Sequence, residues 1–421
     1  MSDSGSKKDW GKQPHRLIDL EEAWEQIARI VRPLPTCEVD VRQAFGRVLA
    51  EPIVANDDFP PFDKSMMDGF AVRSVDCAVC NARLTIAGLA AAGGSVTQQI
   101  TAGSAVRINT GAPLPPGTDA VVRIEDAQIS SDGSSVTIGV AATTGMNVSR
   151  RGAHVRQRDI VLAPPLKIEA PQIAVMAANG LTSVRVYPEV TVGVVTTGNE
   201  LVPPGTPRGP GQIFESNGPM LGALMRQFGA QLHDCGVARD DPQELRERLS
   251  MALRHPIAVA SGGMSMGTLD LVPEVFTDLG VEWKFHGVQV RPGKPIAYGV
   301  GPDGQHVFGL PGNPVSAYVC SWLFVRMAVR GLMGHAVLPP HRWRASLNRE
   351  MKATRDARPA FVPARVWNDD QRGMVADPCG WGGSGDPFGQ ALANALIVRE
   401  NPTEAAAVGC HVNVIFISTD P

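Results

Sequence analysis

Apolar and polar positions alternate most regularly between Val190 and about Gly334. Four apolar runs there, VTVGVV, AQLHDCGV, PIAVAS and HVFGL, have the length of buried strands. Between these runs the spacing predicts four helices, at Asn217 to Phe228, Pro242 to Leu253, Val272 to Leu279 and Pro314 to Arg330. Such alternation is typical of a parallel sheet with helices on both faces. We therefore predict a doubly wound α/β domain at residues 188–336.

Two other parts of the chain show shorter β-type patterns. From Leu84 to about Thr144, runs such as AVRIN and AVVRI are separated by Gly, Pro, Ser and Asp turns, which predicts a small all-β domain. After the Pro-rich HAVLPPHRW, the runs RWRASLNREM, FVPARVW and ANALIVRE predict a second β domain at the C-terminus. We place these domains at residues 55–145 and 337–421.

Helical patterns flank the first β region on both sides. One helix is predicted just after Asp19, a second from Val41 to Leu49, and a third within EAPQIAVMAANG. If these helices pack together, residues 17–54 and 146–187 form a discontinuous helical and extended domain into which the β domain is inserted. The predicted fold class is therefore α/β multidomain.

Composition and charge remove several classes of function. The 421 residues carry 39 basic and 42 acidic side chains, a net charge of -3, so neither nucleic acid nor an anionic membrane is predicted as a partner. The longest apolar run, about Ala317 to Val325, is about half of what a membrane span needs. Residues 1–16 lack the apolar core of a secretory signal and are expected to be a disordered lead-in. The seven cysteines, an odd number, favour a reducing cytoplasm.

Polar, Gly-rich or acidic segments follow all four predicted strands of the α/β domain: TTGNE, ARDD, SGGMSMG and LPGNPVS. Ligands of open α/β sheets bind beyond the carboxyl ends of the strands, so these segments predict one site. In SGGMSMGTLD, Gly262, Gly263 and Gly267 allow close approach of backbone N–H groups, and Ser261 and Ser265 add hydroxyls, which suits a phosphate. An ordinary Gly turn between strand and helix is the alternative for this run alone.

The segment LPGNPVSAYV gives a second feature suited to phosphate. Asn313 is a favourable N-cap and Pro314 a favourable first helical residue, so the positive end of a helix dipole faces the same strand ends. Pro311, Gly312 and Ser316 join Asn313 as substrate-binding candidates. The alternative is that this segment only begins a helix well.

Three acidic residues follow the same strand ends. In ARDDPQELRERL, Asp241 is the natural N-cap, so the helix does not require Asp240. Together with Glu200 and Asp270, Asp240 places three carboxylates on one rim of the sheet, a set suited to hydrated Mg²⁺ that holds a substrate phosphate. Taken singly, each is a solvated surface acid in the alternative interpretation.

The segment VQVRPGKPIAYG supplies the opposite charge. Arg291 and Lys294 lie three residues apart across a Pro-Gly turn. They form a compact cationic pair suited to an oxyanion. A solvated turn is the alternative.

Eight motifs occur in the order and at about the spacing found in MoeA-type molybdopterin molybdenumtransferases, a family similar to the gephyrin E domain: MMDGFAVR, RINTGAPLPPGTDAVV, TTGNEL, ARDD, SGGMSMGTLD, RPGKP, LPGNPVSA and GGSGD. The resemblance covers roughly Leu17 to Val398. It implies a cytoplasmic homodimer of four-domain subunits, with residues 17–54 and 146–187 as the linker and dimerisation domain. It also implies insertion of molybdenum from molybdate into adenylated molybdopterin, with release of AMP in a Mg²⁺-dependent step. Implied partners are a molybdopterin adenylyltransferase and apo-molybdoenzymes or their chaperones.

The resemblance also implies roles for single residues. The implied catalytic residues are Asp68, Thr110, Glu200, Asp240 and Asp270, of which the last three are also the implied Mg²⁺ ligands. The implied molybdate-binding residues are Arg291, Lys294, Arg365 and Ser384.

Three positions depart from the family pattern. Asn199 stands where many members have Asp, Arg291 replaces a common Lys, and Gly287 stands where several members have Lys or Arg. Two alternatives stay open. Because the α/β domain is of a similar type, one is the preceding enzymatic step, adenylation of molybdopterin from ATP, although the extra β domains and the MDGFAV and RPGKP motifs argue against it. The other is a non-catalytic molybdopterin-binding scaffold, which the missing charges at Asn199 and Gly287 favour, whereas Arg291 keeps the charge of the lysine that it replaces.

Overall fold

The computed structural model describes residues 16–94, 99–264 and 271–418. The chain divides into two compact units, and each is described by itself. The smaller unit comprises Glu38–Phe45 and Leu49–Arg185, and the larger unit comprises Met1–Cys37, Gly46–Val48 and Val186–Pro421. Of the predicted lead-in, residues 1–15 lie outside the described residues.

Helices occur close to most of the predicted places. They are α1 Leu20–Ile30, α2 Ala170–Ala178, α3 Asn217–Gln227, α4 Pro242–Ala252, α5 Val272–Asp278, α6 Pro314–Cys320 and α7 Arg326–Leu332. A π-helical turn at Ser321–Val325 joins α6 to α7. The Asp241 carboxylate accepts hydrogen bonds from the N–H groups of Gln243 and Glu244, which confirms the predicted N-cap of α4.

The predicted helix from Val41 to Leu49 is wrong. The segment contains a single 3-10 turn at Val41–Gln43, and Val48–Leu49 is a strand. Gly46 has a φ of +80°, which a right-handed helix does not contain. The chain therefore leaves the helical path midway through this segment.

Short strands make up most of the smaller unit and its two ends. In chain order they are β1 Cys37–Asp40, β2 Val48–Leu49, β3 Ile53–Val54, β4 Lys64–Ser65, β5 Gly69–Val72, β6 Ala82–Ala90, β7 Ser104–Ile108, β8 Ala120–Arg123, β9 Ala127–Ile129, β10 Ser135–Ile138, β11 Val148–Ser149, β12 Ile160–Leu162, β13 Leu166–Lys167 and β14 Ser183–Tyr187. Six of them form one sheet in the order β8-β5-β7-β6-β10-β9. Phe70, Val122 and Ile138 are buried in its core, as the predicted small β domain requires.

The larger unit contains the predicted parallel sheet. Its strands are β15 Thr191–Thr197, β16 Leu201–Val202, β17 Ile213–Phe214, β18 Gln231–Ala238, β19 Ile257–Ser261, β20 Glu282–His286, β21 Ala297–Val300 and β22 His306–Leu310. Six of them form a sheet in the order β18-β15-β19-β22-β21-β20. The first four are parallel and are the four predicted strands, whereas β21 and β20 extend the sheet in antiparallel pairing. The sheet is therefore mixed rather than purely parallel.

The C-terminal β domain is a closed barrel. Its strands are β23 Trp343–Leu347, β24 Ala360–Asp369, β25 Gly373–Pro378, β26 Ala395–Arg399 and β27 His411–Phe416, in the order β23-β25-β24-β26-β27. Phe361, at the start of β24, is fully buried and belongs to the same apolar cluster as Phe308 of β22 and Phe324 of the π-helical turn. The barrel and the mixed sheet therefore share one core.

The helical stretch Pro314–Leu332 lies inside this shared core. Among the described residues it alone is long and apolar enough to cross a membrane by length and composition, and 83% of it is buried within the protein, as in a core helix. The Trp24 indole N–H of α1 donates to the Leu323 carbonyl over 2.9 Å. The first helix therefore packs within the larger unit, and the sequence-based domain boundaries stay predictions.

A buried polar pair joins two neighbouring strands of the mixed sheet, β21 and β22. The Tyr298 hydroxyl and His306 Nδ1 are 2.8 Å apart. Burial lowers the pKa of His306 from 6.5 to about 4 and raises the pKa of Tyr298. Because the imidazole stays neutral in the folded chain and gains a proton near pH 6.5 in the unfolded chain, acid favours unfolding.

We expect this histidine to produce a measurable loss of stability in mild acid. The contribution of neutral His306 to the free energy of unfolding is complete above pH 6.5 and is lost as the pH falls towards about 4. The free energy of unfolding should therefore fall by about 2 kcal/mol between pH 7 and pH 5. Urea unfolding at these two pH values should show a smaller loss in His306→Gln than in the wild type. The exposed His411→Gln control should keep the wild-type loss. Equal losses in all three proteins would contradict the assignment.

Candidate functional site

The carboxyl ends of β15, β19 and β22 surround a cavity of about 740 Å³, which we call the strand-end cavity. The predicted residues that line it are Glu200, Asp240, Ser261, Gly262, Gly263, Pro311, Gly312 and Asn313. Residues from all four predicted strand-end segments therefore meet at one place, as the topology rule for open α/β sheets requires. Of the other predicted site residues, Ser265, Gly267 and Asp270 lie outside the described residues.

The glycines after β19 permit a very close backbone approach. Gly262 has a φ of +102°, and a Cβ atom there would lie 2.4 Å from the Thr197 carbonyl oxygen. At Gly263, with a φ of +60°, a Cβ atom would lie 2.7 Å from Val272 Cγ2. Both positions therefore require glycine for the turn itself. The same turn leaves these backbone atoms on the wall of the cavity.

Two buried polar atoms in the cavity wall have no hydrogen-bond partner within the part of the chain that the structure describes. The Asn217 side-chain amide donates to Ser261 Oγ over 2.9 Å and to the Gly312 carbonyl over 2.7 Å. Asn217 Oδ1 and Thr197 Oγ1 have no hydrogen-bond partner among the described residues, although both are buried and both residues line the cavity. Buried polar groups are nearly always hydrogen-bonded, so these two indicate a site for a polar ligand.

Sequence reasoning missed Thr197 and Asn217. The sequence features that could have identified them are the two threonines of TTGNE and the Ser-Asn dipeptide at the start of α3. Glu215, another cavity residue that was missed, accepts a 2.7 Å hydrogen bond from the Gly218 N–H. Burial raises the pKa of this carboxyl, and the backbone N–H groups of Gly218 and Asn217 partly oppose the shift.

Glu200 and Asp240 place two carboxylates on the cavity wall. Asn199 Oδ1 accepts a 3.2 Å hydrogen bond from the Asp240 N–H, so the loops that carry the two acids are linked. Together with the unpartnered oxygens of Thr197 and Asn217, they form an oxygen donor set that suits Mg²⁺, which usually keeps waters and few carboxylates. Within residues 16–94, 99–264 and 271–418, no group of three His, Cys, Asp or Glu side chains is placed to hold a metal ion.

A second cavity, of about 560 Å³, adjoins the first and is called the basic cavity. Six predicted residues line it: Arg291, Lys294, Pro311, Asn313, Ser316 and Ser384. Pro311 and Asn313 line both cavities. The phosphate-suited and oxyanion-suited parts predicted from the sequence are therefore neighbours with wall residues in common.

The structure does not bring Arg365 to the basic cavity. Arg365 lies within β24, paired in register with Asp377 of β25, and its side chain is exposed. Arg358, just before β24, lines the cavity instead. The reason is that the start of β24 is bound to the basic turn, since the Arg291 N–H donates to the Pro359 carbonyl over 2.9 Å.

The Asn313 side chain does not cap α6 as predicted. Its amide donates to Ser384 Oγ over 2.9 Å. In addition, the Val315 N–H donates to the Ser384 carbonyl over 3.0 Å. A residue of the C-terminal domain therefore takes up one of the free donors at the start of this helix and links the two cavities.

Asp356 organises the charge of the basic cavity. Its Oδ1 accepts a 3.0 Å hydrogen bond from Arg358 Nε, its Oδ2 accepts one of 2.5 Å from Arg358 Nη2, and Arg291 Nη1 lies 3.9 Å away. Arg358, with a smaller contribution from Arg291, lowers the pKa of Asp356 to about 2. One carboxylate therefore orients Arg358 and offsets part of the charge of Arg358 and Arg291, and with Lys294 the three cations of the cavity outnumber it.

The departure at Gly287 has a structural reason. This glycine has a φ of +95°, and a Cβ atom would lie 2.6 Å from Leu17 Cδ2. Its N–H donates to the Ile296 carbonyl. A lysine or arginine would therefore be strained here whatever the charge requirement.

Asp68 and Thr110 belong to the smaller unit. The Thr110 N–H donates to Asp68 Oδ1 over 2.9 Å, and both residues are exposed. The two motifs that carried them in the sequence, MDGFAV and NTGAP, are thus in direct contact.

Three family models match most of the chain. Residues 18–180 match the MoeA N-terminal region (domain I and II), residues 193–331 match a probable molybdopterin binding domain, and residues 344–417 match the MoeA C-terminal region (domain IV).

Individual proteins are similar over nearly the whole length. A molybdopterin molybdenumtransferase of Staphylococcus epidermidis is 34% identical over 409 residues, which are 96% of each chain. The Staphylococcus aureus enzyme of the same name is 32% identical over 409 residues, again 96% of each chain. The crystal structure of a molybdopterin biosynthesis MoeA protein from Pyrococcus horikosii is 30% identical, covers 96% of this chain and 100% of its own, and has a TM-score of 0.82.

Because Arg358 lines the basic cavity and Arg365 does not, we predict that Arg358 binds a tetrahedral oxyanion such as molybdate. Arg358→Ala should weaken the binding of sodium molybdate by roughly 10- to 100-fold, because hydrogen bonds to charged groups contribute about 1.5 to 3 kcal/mol. Isothermal titration calorimetry measures the dissociation constant directly. Arg365→Ala removes an arginine from the same strand region and serves as the matched control, with unchanged binding expected. A larger loss in Arg365→Ala than in Arg358→Ala would contradict the placement.

Proposed function

The chain belongs to the MoeA family of molybdopterin molybdenumtransferases, and on that premise we propose that it inserts molybdenum from molybdate into adenylated molybdopterin and releases AMP. The proposal rests on the adjacency of the two cavities, which have Pro311 and Asn313 in both walls. One cavity has a glycine turn suited to phosphates and acids suited to Mg²⁺, and the other has cations suited to molybdate. A reaction that joins a phosphate-bearing pterin to an oxyanion needs both at one site.

Phosphate binding falls to the strand-end cavity. The backbone at Gly262 and Gly263 holds the phosphates, with Gly312 and Asn313 on the facing loop. The Ser261 hydroxyl, predicted as a phosphate contact, is buried and donates to the Pro311 carbonyl over 3.2 Å, so it supports the turn. Ser265 and Gly267, assigned by motif alone, belong to the same proposed cradle. Asn217 Oδ1 and Thr197 Oγ1 belong instead to the oxygen set proposed for Mg²⁺, because an amide oxygen accepts hydrogen bonds and cannot donate one to a phosphate oxygen.

Glu200 and Asp240, with Asp270 by motif, are the proposed holders of Mg²⁺. When bound, Mg²⁺ offsets the negative charge that builds up on the phosphates as the phosphoanhydride is cleaved. The two described carboxylates face the same cavity as the phosphate cradle. The link from Asn199 to Asp240 keeps their loops in register, which gives the departure at Asn199 a positioning role.

Molybdate binding falls to the basic cavity. Arg291, Lys294, Arg358 and Ser384 hold the dianion by charge-assisted hydrogen bonds, and Ser316 lies on the same wall. Arg358 takes the place that the sequence resemblance gave to Arg365. Asp68, held by the Thr110 N–H, is proposed as a further catalytic carboxylate on the strength of its motif.

The wider setting is proposed from the family resemblance. The chain acts in the cytoplasm as a homodimer, with residues 17–54 and 146–187 as its linker and dimerisation domain. A molybdopterin adenylyltransferase supplies the substrate, and apo-molybdoenzymes or their chaperones receive the product.

Turnover tests the proposed function. With adenylated molybdopterin, Mg²⁺ and molybdate, the protein should release AMP and form cofactor that reconstitutes an apo-enzyme; absence of both would refute insertion. Consumption of ATP without molybdate would instead indicate adenylation, and tight pterin binding without AMP release would indicate a scaffold.

Two substitutions should divide the reaction between the cavities. Asp240→Asn should slow AMP release at least about tenfold with little change in the molybdate KM, and Lys294→Ala should chiefly raise that KM. Asp241→Asn is the matched control, because asparagine caps a helix as well as aspartate does, and it should keep wild-type rates. Identical kinetic effects of the two test variants would contradict the division.

A further inference from the structure

Two aromatic side chains line the strand-end cavity without being buried by the protein. Phe388 is 86% exposed and Phe214 is 42% exposed, and both line the cavity together with the acids and the glycine turn. A large apolar side chain left in water loses the stabilisation that burial gives. Exposed aromatic groups on the wall of a polar cavity therefore point to a ligand with a flat apolar face.

Both aromatic residues are held in place by their backbones. The segment that contains Phe214 is fixed on the acid loop, because the Ile213 N–H donates to the Glu200 carbonyl over 2.9 Å and β17 pairs with β16. The Arg208 guanidinium lies 4.6 Å from the Phe214 ring centroid. Phe214 is thus positioned with one of the proposed metal-binding acids.

The position of Phe388 is set by Asp386. The carboxylate accepts hydrogen bonds from the N–H groups of Gly382, Phe388 and Gly389 over 2.7, 3.0 and 3.1 Å. These three backbone donors lower the pKa of Asp386, so the carboxylate stays charged and the turn stays formed. The exposure of Phe388 is therefore a property of an ordered turn.

The segment that contains Phe388 lines the basic cavity with its first residues and the strand-end cavity with its later ones. Trp381 to Ser384 line the basic cavity, and Gly385, Pro387 and Phe388 line the strand-end cavity. Phe214 and Phe388 line only the strand-end cavity, whereas Arg291 and Lys294 line only the basic one. The aromatic pair thus belongs to the part of the site that the molybdate-binding cations do not reach.

We infer that Phe214 and Phe388 form a base-binding subsite, in which the adenine of the adenylated substrate stacks while its phosphates lie on the glycine turn. The identity of the nucleotide rests on the proposed function. The pterin is the other flat group of that substrate, but its dithiolene must reach the molybdate in the basic cavity. The nucleotide end is therefore the one left for the aromatic pair.

Stacking on an aromatic face accepts any base and is lost when the ring is removed. The probes are AMP, which carries the base, and ribose 5-phosphate, which does not. Phe388→Ala and Phe214→Ala should each weaken AMP binding about tenfold and leave the binding of ribose 5-phosphate and of sodium molybdate unchanged. Phe388→Trp, in contrast to Phe388→Ala, should bind AMP about as tightly as the wild type, because tryptophan also offers an aromatic face. All dissociation constants are measured by calorimetry on the full chain.

Leu392→Ala is the matched control, because Leu392 is 81% exposed and is not among the residues that line the cavity. It should bind AMP as the wild type does. Unchanged AMP affinity in both phenylalanine variants would overturn the inference, as would an equal loss for ribose 5-phosphate, which would indicate a displaced loop. Wild-type protein that binds AMP no better than ribose 5-phosphate would also overturn it. None of these binding results tests molybdenum insertion itself, which is measured separately by the amount of cofactor formed.

Discussion

The join between the C-terminal barrel and the mixed sheet is the constraint on which both cavities depend. Backbone hydrogen bonds tie Arg291 to Pro359 and Phe361, and the Asn313 side chain is bonded to Ser384. Phe361 carries the join into the shared apolar core, where it is fully buried. Because the barrel cannot slide on the sheet without breaking these bonds, residues far apart in the chain hold fixed positions around one site.

Charge is separated along this site in a way that fits the proposed chemistry. Acids line the strand-end cavity, where the proposed Mg²⁺ would bring phosphates and carboxylates together. Cations line the basic cavity, where Asp356 prevents Arg291 and Arg358 from facing each other without compensation. A substrate that spans both cavities meets the charge it needs at each end, which a single uniformly charged pocket would not provide.

Much of this was predictable because local signals and a topology rule agree. The Asp-Pro start of α4 was predicted from two residues, and the convergence of four strand-end segments followed from parallel strands alone. The antiparallel strands β20 and β21 were missed because their pairing depends on contacts across the sheet. Arg358 was missed for a similar reason: only the bond between Arg291 and Pro359 shows which arginine near β24 faces the cavity. The SN dipeptide marks the start of α3, but it does not show that Asn217 Oδ1 has no partner among the described residues.

The central claim is that the two cavities act as one site joined at Asn313 and Ser384. A double-mutant cycle of Asn313→Ala and Ser384→Ala, measured as kcat/KM for cofactor formation, tests it most directly. Residues that share a hydrogen bond and a ligand should show a coupling free energy of about 1 kcal/mol or more, so the double variant should be less impaired than the sum of the single variants. Effects that add to within about 0.3 kcal/mol would contradict a single continuous site.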